Sequence, residues 1–129
     1  MLPLFISRFD ASRREKGCSF NMAETPTIHW SGESGKTYKY WIHPLNTTFL
    51  AKPGNYIFSK KNASSKWVAI YVGQTQDLSS RFTNHHQEEC VDGQGATHIH
   101  VHTNESGKQA RLDEETDIRC NYNPHCNGQ

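Results

Sequence analysis

Read by its apolar and polar positions, the chain breaks into two hairpins followed by alternating helical and extended stretches. Thr27-Ile28-His29-Trp30, the turn Ser31–Gly35, and Thr37 to Ile42 with alternating Tyr38, Tyr40 and Ile42 predict a first β-hairpin. Residues 44–53 read as a connector. A second hairpin follows, from Asn55 to Ser59 and from Trp67 to Val72, around the polar loop 60–66. Side chains alternate along a strand, so Val68, Ile70 and Val72 are expected on one face and Ala69, Tyr71 and Gly73 on the other. Gly73–Asp77 reads as a turn, with Thr75 or Asp77 capping a helix from about Leu78 to Gln87. Leu78 and Phe82 would bury one stripe of that helix. Arg81 and His85 stand one turn apart on another. After the loop Asp92–Gly95, Ala96 to Thr103 predicts a strand. Ser106 with Gln109 predicts a capping box for a second helix through about Asn121. Residues 1–21 lack periodic apolar positions and read as a disordered tail, and Met22-Ala23-Glu24-Thr25-Pro26 resembles an ordinary protein start.

Size and composition narrow the class. A chain of 129 residues, 34% apolar, with a mean hydropathy of −0.81, suits one small domain with a modest core. No apolar run approaches the roughly 20 residues a membrane helix requires. Leu2–Ile6 is shorter than the roughly 7–15 residues of a signal-peptide core and precedes the basic residues. The sequence-based expectation is therefore a cytoplasmic protein. Cys18, Cys90, Cys120 and Cys126 are enough for two disulfides, but without a secretion signal they are expected as reduced thiols, and they lack the C-x-x-C pairing common in zinc sites.

The net charge of +1 conceals an asymmetry. Between Lys36 and Arg81 there are seven basic residues and one acid, Asp77; between Glu88 and Asp117 there are eight acids and two bases. Such a division fits two solvated faces of opposite sign, or a basic surface for a polyanion beside an acidic region that holds a cation.

Taken singly, the polar residues are ordinary. Tyr56 and Tyr71 are strand tyrosines, Arg81 and Glu115 are charges on helix faces, and Asn127 lies near the chain end. Their joint order is more specific. Gly54-Asn55-Tyr56, Tyr71-Val72-Gly73, the run Gln74-Thr75-Gln76-Asp77-Leu78-Ser79-Ser80-Arg81, Glu115, and Pro124-His125-Cys126-Asn127 occur in the order and at the intervals of the GIY-YIG nuclease family, which residues 54–127 resemble. Two departures stand out. Asn55 replaces the family's apolar middle residue, and the chain has no room for the separate DNA-binding domain that such nucleases often carry.

The resemblance implies an α+β fold: a small three-stranded antiparallel sheet carrying both tyrosines, flanked by helices that carry Arg81 and Glu115. Residues 22–53 would be an extra N-terminal β-hairpin packed on one edge, and residues 54–129 the nuclease-like domain. It further implies a DNA endonuclease dependent on Mg²⁺ or Mn²⁺. Glu115 would be the one protein carboxylate on the metal, which suits Mg²⁺ because that ion keeps several waters. Arg81 would grip the phosphate with its guanidinium fork. Asn127 would orient the carboxylate or the phosphate, and Gly73 with the loop lysines Lys60, Lys61 and Lys66 would border the DNA. Tyr56 is the implied base. A phenol with a pKa near 10 is only about one part in a thousand ionised at pH 7, so its proton needs a relay or its pKa a depressor. His85 is the expected relay or direct base, with His86 as the alternative; Tyr71 would position phosphate or water.

Two other readings stay open at this point. A catalytically silent DNA-binding module could use the same fold, although a small net charge limits the number of phosphates neutralised. Alternatively His98, His100 and His102, on one strand face by period 2, could bind zinc with Cys90, Cys120 or Cys126, or simply form a polar strand face.

Overall fold

The computed structural model describes residues 25–80, 82 and 85–128. The proposed tail, the start at Met22, Cys18 and Arg81 lie outside the described residues. In chain order the elements are β1 (Thr27–Ser31), β2 (Thr37–Pro44), β3 (Gly54–Lys61), β4 (Trp67–Thr75), α1 (Glu88–Gly93), β5 (His98–Thr103), α2 (Lys108–Tyr122) and a 3₁₀ turn at His125–Gly128. No helix among the described residues is long and apolar enough to cross a membrane.

The five strands form one curled antiparallel sheet in the order β1-β2-β5-β3-β4. This corrects the expected three-stranded sheet flanked by helices with a hairpin packed on one edge. The N-terminal hairpin instead continues the sheet, because β2 pairs directly with β5, Trp41 opposite Val101 and His43 opposite Ile99. An open β5 edge would leave a row of backbone N–H and C=O groups without ladder partners, and β2 supplies them.

The helices also depart from expectation: the described residues hold only two. Where a helix was expected from Leu78 to Gln87, Leu78–Ser80 form a turn and α1 begins only at Glu88. The reason is local chemistry. The Asp77 carboxylate accepts from the Ser79 backbone N–H at 2.9 Å and the Ser79 hydroxyl at 2.6 Å, which offers this segment an alternative to helical bonding. The second helix is present, but Gly107 and not Ser106 is its N-cap, at φ 109° and with no side-chain cap. Gln109 donates forward to Asp113 at 2.8 Å, so the capping box does not form. Asn123 ends the helix in a left-handed conformation, φ 51°, which asparagine tolerates better than most residues.

One irregularity decides which residues face each other. In the β3–β4 ladder Phe58 lies opposite Tyr71 and Ser59 opposite Ala69, so Ile70 is a bulged extra residue. The expected face of Val68, Ile70 and Val72 is thereby broken. Ile70 and Tyr71 both join the cluster of Tyr56, Phe58, Ile99 and Val101. Ala69 and Val72 join Trp30, Tyr40, Ile57 and Ile118 on the opposite face, beneath α2. We call these the tyrosine face and the helix face. Leu78, which is 2% exposed, contributes to the tyrosine face about 1.5–3 kcal/mol, as expected for a fully buried leucine.

The cysteines differ from expectation as well. Cys90 and Cys126 form a disulfide across a sequence separation of 36, with Cα atoms 5.9 Å apart, tying α1 to the 3₁₀ turn. Cys120 is free and exposed.

Candidate functional site

The regular β3–β4 register on the near side of the bulge, Tyr56 opposite Gly73 and Phe58 opposite Tyr71, puts two tyrosines on one face, and a glycine leaves room for them. The Tyr56 and Tyr71 rings stack with centroids 6.2 Å apart. A Cβ at Gly73, which lies opposite Tyr56, would stand 2.6 Å from the Tyr56 Cζ and hydroxyl oxygen and 2.9 Å from Tyr71 Cε2. Gly73 is therefore required here by the tyrosine pair itself. Phe82 packs edge-on against Tyr56 at 4.8 Å between centroids.

Each tyrosine meets a histidine from the segment before α1. The Tyr56 hydroxyl and His85 Nε2 are 2.7 Å apart, and the Tyr71 hydroxyl and His86 Nε2 are 3.1 Å apart. The two imidazoles stack at 4.6 Å. The result is a two-by-two array of rings, tyrosine on tyrosine, histidine on histidine, joined by two hydrogen bonds. Its inner pair is buried: Tyr56 has 0% exposure and His85 6%. His86 is exposed, so the array opens to solvent at the Tyr71–His86 end.

The inner pair has a definite proton arrangement. The backbone N–H of Gln87 donates to His85 Nδ1 at 3.0 Å, so that nitrogen carries no proton. In the neutral imidazole the proton then sits on Nε2, which donates to the Tyr56 oxygen. His85 therefore does not take the phenolic proton in this arrangement. It donates to the Tyr56 oxygen instead.

The remaining expected residues lie elsewhere. Asn127 binds the edge strand β4: its Oδ1 accepts from the Val72 N–H at 2.8 Å and its Nδ2 donates to the Val72 carbonyl at 2.9 Å. The carboxamide thus acts as a short strand partner that holds the 3₁₀ turn in place. Among the loop lysines, Lys60 donates to the Gln94 carbonyl at 2.7 Å and Lys61 lies 5.1 Å over the Trp67 ring. Lys61 and Lys66 are exposed.

Helix α2 covers the helix face, opposite Tyr56, and it is Glu114 that points into the sheet there. The Glu114 carboxylate accepts from the Tyr40 hydroxyl at 2.7 Å and Asn104 Nδ2 at 3.2 Å, and binds His102 Nδ1 at 2.9 Å. Burial, then the Glu114 charge, holds the Tyr40 pKa well above 10. Glu115 pairs with Arg119 at 3.6 Å and its side chain is 16% exposed. On the flank of α2 nearer the β1–β2 hairpin, Asp117 accepts from the Ser34 and Tyr38 hydroxyls. Glu115 is about 160° around the helix from Asp117, on the flank away from that hairpin and toward the β4 edge. One partly buried carboxylate on that flank fits Mg²⁺, which needs few protein ligands. Among the described residues no group of three or more His, Cys, Asp or Glu is arranged to hold a metal ion.

The three strand histidines do share a face, but each has its own partner. His98 meets the Thr97 hydroxyl, His102 meets Glu114, and His100 is wholly buried. The Trp30 indole N–H donates to His100 Nδ1 at 3.0 Å, so Nε2 carries the proton and donates to Ser59 Oγ at 2.8 Å. Burial, with smaller contributions from His98 and His43, lowers the His100 pKa to about 3. Both ring nitrogens are engaged in the core, which leaves His100 no lone pair for zinc. Cys90 and Cys126, in their disulfide, are not available as thiolates.

Sequence reasoning missed the buried polar network around Glu114. Asn55 donates to the Arg111 carbonyl at 2.9 Å and accepts from Asn104, and Arg111 Nε donates to Gln74 Oε1 at 3.0 Å. The only advance signal was a polar Asn55 at an inward strand position. Comparison with protein-family models, curated proteins and solved structures found no match to this chain.

Proposed function

We propose that this chain is a divalent-metal-dependent endonuclease that hydrolyses DNA phosphodiester bonds, of the GIY-YIG type that residues 54–127 resemble. The observation that carries this reading is the ring array, in which both motif tyrosines are held by hydrogen bonds to histidines on one face. In this reading Tyr56, acting as phenolate with the His85 Nε2–H donating to its oxygen, takes a proton from the attacking water, whose oxygen bonds to phosphorus as the leaving oxygen departs. Tyr71 with His86, at the open end, positions phosphate or water. A metal ion on Glu115, Mg²⁺ or Mn²⁺, would supply charge to the phosphate oxygens. The resemblance assigns Arg81 to the same phosphate.

One observation favours the second reading, a silent DNA-binding module. The Tyr56 ring is fully buried beneath Phe82 and His85, so water reaches its hydroxyl only if that cover shifts. Supercoiled plasmid incubated with the protein and Mg²⁺ separates the two. Nicking that stops with EDTA and in Tyr56→Phe supports the nuclease. Retarded but uncut plasmid supports the module.

A further inference from the structure

The residues N-terminal to the nuclease-like region do more than complete the sheet. Side chains alternate along β2, and Tyr40 faces α2, so Lys39 and Trp41 face the other way, onto the tyrosine face. On β1 the partners of those two residues are His29 and Thr27. The register forms one continuous row across all five strands: Thr27, Trp41, Val101, Tyr56, Gly73. Two strand spacings separate Trp41 from Tyr56, about 10 Å. Lys39, His29 and Thr27 are exposed and Trp41 is half-buried, with the Lys39 ammonium 5.3 Å over its ring. None of the residues that β1 and β2 turn to this face is acidic.

We infer that the β1–β2 hairpin is a binding platform for single-stranded DNA, continuous with the site proposed above, on whose nuclease reading it rests only for the direction in which the strand runs. A flat aromatic ring beside a cation is the pairing that single-strand binders use: the ring stacks an unpaired base and the cation meets its phosphate. An incoming base lies on Trp41, displacing the Lys39 ammonium toward the adjoining phosphate, while His29 extends the polar rim. A duplex keeps its bases paired and edge-on to such a ring, so the platform selects unpaired DNA next to the scissile bond.

The test is fluorescence anisotropy with a labelled single-stranded deoxythymidine oligonucleotide, and with a duplex of equal length, both in EDTA so that no cutting intervenes. Stacking of one base is worth roughly 1–3 kcal/mol, so Trp41→Ala should weaken single-strand binding about 5- to 150-fold while Trp41→Phe retains most of it. Lys39→Gln, at an exposed position that leaves the fold intact, should weaken binding several-fold and flatten its salt dependence by about one phosphate. Wild-type affinity in Lys39→Gln together with Trp41→Ala, or equal affinity for single strand and duplex, overturns the platform. Intact single-strand binding with no cutting in Mg²⁺ overturns the nuclease and leaves the platform standing.

Discussion

At the scale of single residues, the adjacent carboxylates Glu114 and Glu115 separate the buried polar network from the proposed metal ligand. Glu114 is buried and takes three partners; a glutamine there has one acceptor oxygen in place of two. Glu114→Gln should therefore lose about 1.5–3 kcal/mol of stability, the range for hydrogen bonds to a charged group, measured by urea unfolding. Glu115→Gln should melt near wild type while plasmid nicking falls at least ~10²-fold, the scale for one lost transition-state stabiliser. If Glu115→Gln nicks normally, the metal role assigned to it is wrong. The buried histidines give a second prediction, with a definite sign. Burial lowers the pKa of His100 to about 3 and that of His43 to about 4, against about 6.5 in the unfolded chain. Their stabilising contribution is complete above about pH 6.5 and is lost as pH falls through the interval below it, because the unfolded state binds protons that the native state excludes. Stability should fall by up to about 1.4 kcal/mol per pH unit for each histidine in that window. His100→Asn, which keeps an acceptor for Trp30, should show a shallower decline; an unchanged slope would show that His100 does not titrate this way.

At the scale of elements, the strands were legible and the segment before α1 was not. Both hairpins were readable because alternating apolar residues and Gly-rich or polar turns act locally, whatever the rest of the chain does. The bulge at Ile70 was hidden, since it arises from the pairing of β4 with β3 and leaves no mark in β4 alone. Leu78 to Gln87 carries a plausible helical pattern, but Asp77 and its serines bond locally and two histidines turn to meet tyrosines more than a dozen residues earlier. The order of the motif tyrosines and His85 could be read in advance. That His85 donates to Tyr56 could not, because it depends on the Gln87 backbone N–H. The disulfide was equally hidden, joining elements 36 residues apart. It closes the segment that supplies His85 and His86 against the turn that carries Asn127. Reduction, or Cys90→Ser with Cys126→Ser, should lower stability by about 2–4 kcal/mol, typical of a bridge over a loop of this order. Urea unfolding with and without reductant checks this, and coincident curves would mean that the bridge does not form.

At the scale of the whole molecule, the boundary drawn at residue 54 from the motifs does not correspond to a division of the fold. A motif reports where chemistry-bearing residues lie, and it is silent on what their strands lean against. Here the strand that borders β3 on one side, β5, is completed only by β2. The wholly buried His100 depends on Trp30 for its Nδ1 partner, and Glu114 depends on Tyr40. Trp30, Tyr40 and Phe49 are all buried and all precede the motif region. Losing three such side chains removes roughly 5–9 kcal/mol of apolar burial, at about 1.5–3 kcal/mol each, leaves His100 Nδ1 without its donor and takes from Glu114 one of its three partners. Domains of this size hold only about 5–15 kcal/mol in total. A chain beginning at Gly54 should accordingly show no cooperative thermal transition and no dispersed amide spectrum, whereas one beginning at Thr25 should melt cooperatively. If the chain from Gly54 folds by itself, the β1–β2 hairpin is an accessory to an independent domain, and β5 tolerates an open edge.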